Sequence, residues 1–294
     1  MDSSVLSGSE GLSSMSSNAG EPHLVIRPQR RAAFFPWRDV LEYRDLLRIL
    51  ALRDVRLRYR QTAVGVLWVV LQPLIGAGLF AFVFGAVAKL PTGDARIPYF
   101  VFGFAGLLIW NTFIQIFQKA GDSLVGNSGL VSKIYFPRIV LPLSTVRGVL
   151  LDFAVGAAVM VVLLAIYRIP PTFALLFLPV SMLMAILLAL GLGFWTAALN
   201  VSYRDVRYVI PVFSQFLLWA SPVAYAASSI PASAQWLAAI NPMVGILESF
   251  RWAVLGTPMM NWSSVVWSAV VSVVLFLVGA MMFQRAERRF ADVI

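Results

Sequence analysis

The sequence has no cysteine, so disulfides and thiolate metal sites are excluded, and its redox compartment leaves no trace. Its one histidine, His23, lies in a polar N-terminal stretch, where a solvated side chain is the plain reading rather than a metal ligand. Charge is equally scarce. Only 13% of the 294 residues are charged while 60% are hydrophobic, too apolar for a soluble domain to cover with polar surface. Scattered carboxylates and the absence of a histidine beside a nucleophile argue against a hydrolase or transferase, which needs converging acid, base or nucleophile groups. The first 20 residues, rich in Ser and Gly, carry neither a basic start nor an apolar core. A cleaved secretory signal is not expected there, and residues 1–35 are expected to form a disordered tail.

Long uncharged runs are what the sequence does have. Between Arg60 and Lys89 no residue is charged, which predicts a spanning helix over 64–88, and a second run between Arg96 and Lys119 predicts one over 99–117. The breaker-rich KLPTGDARIP joins them as a hairpin. A third span is expected over 139–167, interrupted only by Arg147 and Asp152, and a fourth over 173–199 after the turn RIPPT. From 208 to 247 the chain is again uncharged, but Pro211, Pro222, Pro231 and Pro242 divide it. One helix is expected over 209–226, followed by two pieces, 232–240 and 243–255, too short to cross. Asn241 as N-cap, Pro242 in the first turn and Gly256 just past the end mark the second piece as a helix. The last span is expected over 264–283.

The net charge of +9 is a statement about topology and anionic lipid before it is one about nucleic acid. With six spans and both termini cytoplasmic, 19 of the 23 Lys and Arg fall on the cytoplasmic side, leaving Lys89, Arg96, Arg168 and Arg251 outside or within the membrane. The expected fold is an all-α integral membrane protein of six transmembrane helices, with a re-entrant helical hairpin over 228–260 between spans five and six. Such a hairpin requires its non-helical backbone to line protein or a watery cavity. An amphipathic helix precedes the spans, over 36–62: Leu46, Ile49, Leu50 and Leu57 share one face, with Arg44, Arg48 and Arg58 roughly opposite. The permease domain would occupy 63–290.

Several features invite functional readings. GDSLVGNS, at 121–128, has the glycine and serine spacing of a phosphate-binding loop but carries Asn127 where lysine is required, and no apolar strand precedes it. Arg53, Arg56, Arg58 and Arg60 exceed what orientation needs, and a guanidinium fork suits phosphate. Phe102, Gly106, Trp110, Phe113 and Phe117 fall within an arc of about 80° on the second span. That stripe either faces lipid or another helix, or lines a pore where ring faces meet sugar C–H groups. Glu248 and Arg251, one helical turn apart, and Asp152 are costly inside a membrane and need partners. Proton coupling through Asp152 or Glu248 stays open.

Four stretches, LRDVRLRYRQTAVGVLWVVLQPL, FVFGFAGLLIWNTF, SLVGNSGLVSKIYFPRIVLPLS and NPMVGILESFRWAVLG, resemble the permease subunits of ABC transporters that export polysaccharides such as O-antigen, capsule and teichoic acid. The resemblance covers residues 40–290 and implies a homodimer bound to two copies of a separate ATPase, in the cytoplasmic (inner) membrane. It implies no cofactor on this chain, with ATP and Mg on the partner, and a polyprenyl-pyrophosphate-type glycan as cargo. Nucleic acid is not an expected partner. By the same resemblance, Arg53, Arg56, Arg58 and Arg60 would meet the lipid pyrophosphate, and Phe102, Trp110, Phe113 and Phe117 would line the channel. Glu248 and Arg251 would belong to the re-entrant gate over 228–256. Gly121, Asp122, Gly126, Lys133 and Tyr135 would belong to a coupling helix over 121–135 that docks on the ATPase. The alternatives are an ABC permease for a small-molecule or lipid cargo, and a membrane enzyme acting on polyprenyl-linked sugars.

Overall fold

The computed structural model describes residues 35–60, 65–203, 205–258 and 261–293, with side chains except those of 54, 55, 57–60, 65, 66 and 288–293. The tail expected to be disordered lies outside the described residues apart from Phe35. Among the described residues every regular element is helical. The chain begins with α1 (Trp37–Glu42) and α2 (Arg44–Arg60), then enters α3 (Gly65–Phe80), which loosens into a π-helical stretch, Ala81–Val87. Next come α4 (Tyr99–Gly126), the single turn α5 (Ser128–Val131) and α6 (Val140–Ile166). A 3-10 stretch, Phe173–Phe177, leads into α7 (Leu178–Ser202), and the remainder is α8 (Val206–Ala220), α9 (Gln235–Ile240), α10 (Pro242–Leu255) and α11 (Trp262–Val293). Among the described residues, five helices are long and apolar enough to cross a membrane: Leu67–Val87, Tyr99–Gly126, Val140–Ile166, Phe173–Ser202 and Trp262–Glu287.

α4 is the central span. It packs on α3, α6, α7, α8 and α10, and it is the most buried of the five. At 1.5 Å per residue it is about 42 Å long, beyond the ~30 Å of a hydrocarbon core. The sequence-based expectation ended this helix at 117; Lys119 and Asp122 do not stop it, because Ala, Gly, Ser, Leu and Val continue the helix past the hydrocarbon. GDSLVG therefore forms the last turns of α4 rather than a phosphate loop.

α2 also departs from expectation. Leu50 and Ala51 are buried and Tyr43, Leu46 and Leu47 half-buried, while Ile49 is 63% exposed. The helix packs on α6 through the Tyr43–Leu47–Leu50 side. Part of its apolar face is thus covered by protein, and Ile49 belongs to the outer side; Leu57 lies among the side chains outside the described ones.

Small residues let the long helices meet. On α7 and α11, Gly191 and Gly279 stand backbone to backbone, so a Cβ on Gly279 would collide with the Gly191 carbonyl. Gly245 of α10 lies against the backbone of Ser264 and the hydroxyl of Ser268 on α11 in the same way. Helix association in lipid depends on this close packing because no hydrophobic driving force separates protein from acyl chains. Among the described residues the non-glycine residues with positive φ are Lys89 and Arg168 (φ 53° each), which follow the Ala81–Val87 stretch and α6. Between α3 and α4, Arg96 donates to both oxygens of Asp94 (2.8 and 3.1 Å) and holds that carboxyl below its usual pKa. The pair is solvent-exposed, so it shapes the turn more than it stabilises the protein.

The substitution Gly279→Leu is expected to separate α7 from α11 at an overpacking cost of about 1–3 kcal/mol. The measurement is the apparent Tm of the detergent-solubilised protein, which should fall, whereas Val161→Leu at an exposed position of α6 should leave it unchanged.

Candidate functional site

α8 stops at Ala220, and the backbone of 221–226 runs without helical bonding before the short α9 and α10. Its carbonyls are met by side chains from other elements. Arg251 on α10 donates from Nη1 to the Pro222 carbonyl (2.7 Å) and the Tyr225 carbonyl (3.3 Å), and from Nη2 to the Val223 carbonyl (2.5 Å). The Tyr99 hydroxyl, at the start of α4, donates to the Ala224 carbonyl (2.6 Å). Asn241 donates through Nδ2 to the Ala220 carbonyl (3.1 Å) and the Ser221 hydroxyl (2.9 Å). Its Oδ1 accepts from the Met243 N–H (2.9 Å), so the expected N-cap is present, as is Gly256 past the C-terminus at φ +68°. Arg251 is 3% exposed and its guanidinium carbon sits 3.8 Å from the centre of the Phe102 ring. Gly106 leaves the room for it: a Cβ there would collide with the guanidinium and with the Val223 carbonyl. Glu248, half-buried one turn away, supplies none of the hydrogen bonds of Arg251; the partners are backbone carbonyls rather than the neighbouring carboxylate.

The aromatic stripe on α4 faces inward. Phe102, Trp110, Phe113 and Phe117 are each 4% exposed or less. Their rings pack in sequence, Trp110 on Phe113 at 5.5 Å and Phe113 on Phe117 at 6.3 Å, ending on Phe213 of α8 at 6.4 Å. Of the expected alternatives, lipid, another helix or a pore, this packing matches another helix: α4 is surrounded, and in this conformation the stripe fills the chain's own core.

At the basic end of the helices, Arg53 and Arg56 are exposed, while the side chains of Arg58 and Arg60 lie outside the described ones. Arg53 reaches the turn between α4 and α5, where Nη2 donates to Asn127 Oδ1 (2.6 Å). The residues expected to couple to a partner divide in two. Gly126, Lys133 and Tyr135 are exposed, Tyr135 at 78%, with Ile134 beside them. Gly121 is buried against Thr196 and Ile210, while Asp122, its side chain 46% exposed, accepts from Asn200 Nδ2 (3.1 Å) with Arg207 Nε at 3.7 Å. They tie α4 to α7 and α8. Arg138 and Glu287 join the 132–139 loop to α11, the Arg138 N–H donating to Glu287 Oε1 (2.8 Å).

One set of residues was missed by the sequence reading. A cleft of about 400 Å³ opens between α3, α4 and α6, lined among others by Trp68, Gln72, Asn111, Gln115, Gln118 and Asp152. Asn111, Gln115 and Gln118 fall within an arc of about 60° on α4, roughly opposite the aromatic stripe. The signal was present as three amides at helical spacing in an otherwise apolar span. The expectation followed the commoner aromatics instead.

With this geometry in place, comparison with known proteins is decisive. Residues 45–255 match the model of the ABC-2 type transporter family. The chain belongs to that family. The ABC-2 type chain is 28% identical over 253 residues to the O-antigen export system permease protein RfbA of Klebsiella pneumoniae, covering 85% of this chain and 95% of that protein. The Myxococcus xanthus protein of the same name is 30% identical over 257 residues, 87% of this chain and 97% of the relative. The polysialic acid transport protein KpsM of Escherichia coli is 25% identical over 245 residues, 81% and 92% of the two chains. This ABC-2 type chain is a transporter permease and not an enzyme.

Arg251→Met should leave three buried carbonyls without their donors, at roughly 1–3 kcal/mol each, whereas Tyr99→Phe removes one donor. The expected order of apparent Tm in detergent is wild type, then Tyr99→Phe, then Arg251→Met, with Arg251→Lys between the two variants because one ammonium cannot serve the same fork.

Proposed function

We propose that this chain is the membrane subunit of an ATP-driven polysaccharide exporter, working as a homodimer with two copies of a separate ATPase that carries the ATP and Mg. The observation that carries this reading is coverage: the relatives named as O-antigen and polysialic acid transport proteins align over 92–97% of their own length.

The finer topology in this proposal has six crossings with both termini cytoplasmic. Supporting it, α8 starts at the end where Arg207 meets Asp122, and the segment following it reaches Tyr99 at the other end of α4. α8 and 221–226 together thus bridge the distance that a 15-residue helix of about 22 Å does not. α9 and α10 then form the re-entrant hairpin, and Phe177, Trp252 and Trp262 cluster where α10 ends and α11 begins. In this orientation the exposed segment with Gly126, Lys133, Ile134 and Tyr135 faces the ATPase, and α2 lies at the inner-membrane surface.

Lipid-linked glycan is the proposed cargo, with Arg53, Arg56, Arg58 and Arg60 receiving its phosphates. Arg53 is exposed beside the turn that holds Asn127, and its planar guanidinium fork suits a phosphate. Deleting the chain should strip the glycan from the cell surface and accumulate the lipid-linked form inside. Normal surface glycan in the deletion strain would point to another cargo. Changing all four arginines to lysine should preserve membrane insertion but reduce export, and wild-type export in that variant would make them orientation anchors only.

A further inference from the structure

The cleft between α3, α4 and α6 sets a group of polar side chains among apolar ones. Gln72 is exposed, Asn111, Gln115 and Gln118 are half-buried, and Asp152 is 5% exposed at the cleft's inner side. Trp68, 55% exposed, presents its indole at the rim. Gln118 Nε2 donates to the Ser214 hydroxyl (3.2 Å), tying one end of the row to α8. These positions lie well inside α3, α4 and α6, at depths where amides against acyl chains are costly and need protein or water as a covering.

We propose that this cleft is a sugar-binding subsite on the export path, a reading that rests on the proposed function. Its chemistry fits a neutral polyol. Each primary amide offers a carbonyl acceptor and two N–H donors, so it can pair with a hydroxyl in either sense. The Trp68 ring offers a face to sugar C–H groups. From Asn111 to Gln118 the row extends about 10 Å along α4, longer than one hydrogen-bonded contact. The volume of about 400 Å³ lies within the ~300–1,000 Å³ of ordinary ligand sites. Several neutral amides in a row bind hydroxyls individually weakly, as a moving polymer requires. The glycan therefore follows the amide face of α4, opposite the aromatic stripe to which the sequence had pointed.

The absence of cysteine makes the test direct. Gln72→Cys, Asn111→Cys and Gln115→Cys are expressed singly with the partner ATPase, with Val161→Cys as a lipid-facing comparison, and membranes are treated with a positively charged methanethiosulfonate. The three cleft positions should react because thiol modification needs water, Val161→Cys should not, and reaction at the cleft should slow severalfold when the cells synthesise glycan. Asn111→Leu and Gln115→Leu should each lower export by about two- to tenfold, the factor carried by one net hydrogen bond, with the amount of assembled complex unchanged. Unreactive cleft cysteines, as when a helix of the second protomer covers the amides, would overturn the proposal. So would reaction that is indifferent to glycan synthesis, or full export by both leucine variants. The deletion strain separates the two readings: normal surface glycan there removes the proposed function itself, while lost export with an unprotected cleft removes only the subsite.

Discussion

A backbone that leaves the helix inside a packed bundle must find hydrogen-bond donors within the protein, and the arrangement of this bundle follows from how 221–226 finds them. Four prolines divide the region, and Pro222 itself has no N–H to give. The carbonyls of 220 and 222–225 turn instead to Asn241, Arg251 and Tyr99. A guanidinium is suited to this position because its planar fork reaches several acceptors at once while keeping its charge. Its burial then demands space and a favourable surface, which Gly106 and the Phe102 ring provide. One arginine thereby fixes the packing of α10 on α4 and the path of the chain after α8.

The same contact determines what the rest of α4 can do. With Phe102 and Gly106 committed to Arg251, the helix is rotated so that Trp110, Phe113 and Phe117 continue inward on the same face. The amides are thereby directed to the cleft beside α3 and α6. Close contacts at glycines hold α7 on α11 and α10 on α11, so the inner scaffold rests on shape rather than on charge.

Much of this was legible in the sequence. The third span, expected over 139–167, is Val140–Ile166, and the start and stop signals around α10 are realised atom for atom. These succeeded because caps and uncharged runs are local. Orientation about the helix axis is not local, and in a membrane hydrophobicity no longer separates inside from outside. Phe and Trp suit lipid, pore and core alike, so their stripe carried little directional information. Polar residues are the informative minority in such a helix. The contacts of Gly121 and Asp122 were hidden for a related reason: their partners, Thr196, Asn200 and Arg207, are distant in sequence.

α4 also joins the two ends of the protein without a break. At one end its final turn holds Asn127, which receives Arg53 and precedes the exposed 132–135 segment; at the other lie Tyr99, Phe102 and Gly106, gripping the unwound chain. A continuous α-helix of about 42 Å is stiff compared with the turns at either end. Displacement of the Asn127 turn along the helix axis is therefore transmitted to the Arg251 contacts, and the amide row between them moves with it. Arg251 engages through directional bonds to three carbonyls, so small axial shifts change several bonds together. A weakly binding row of amides, carried on a rigid element whose far end is tightly held, couples the basic end to the opposite end by position alone.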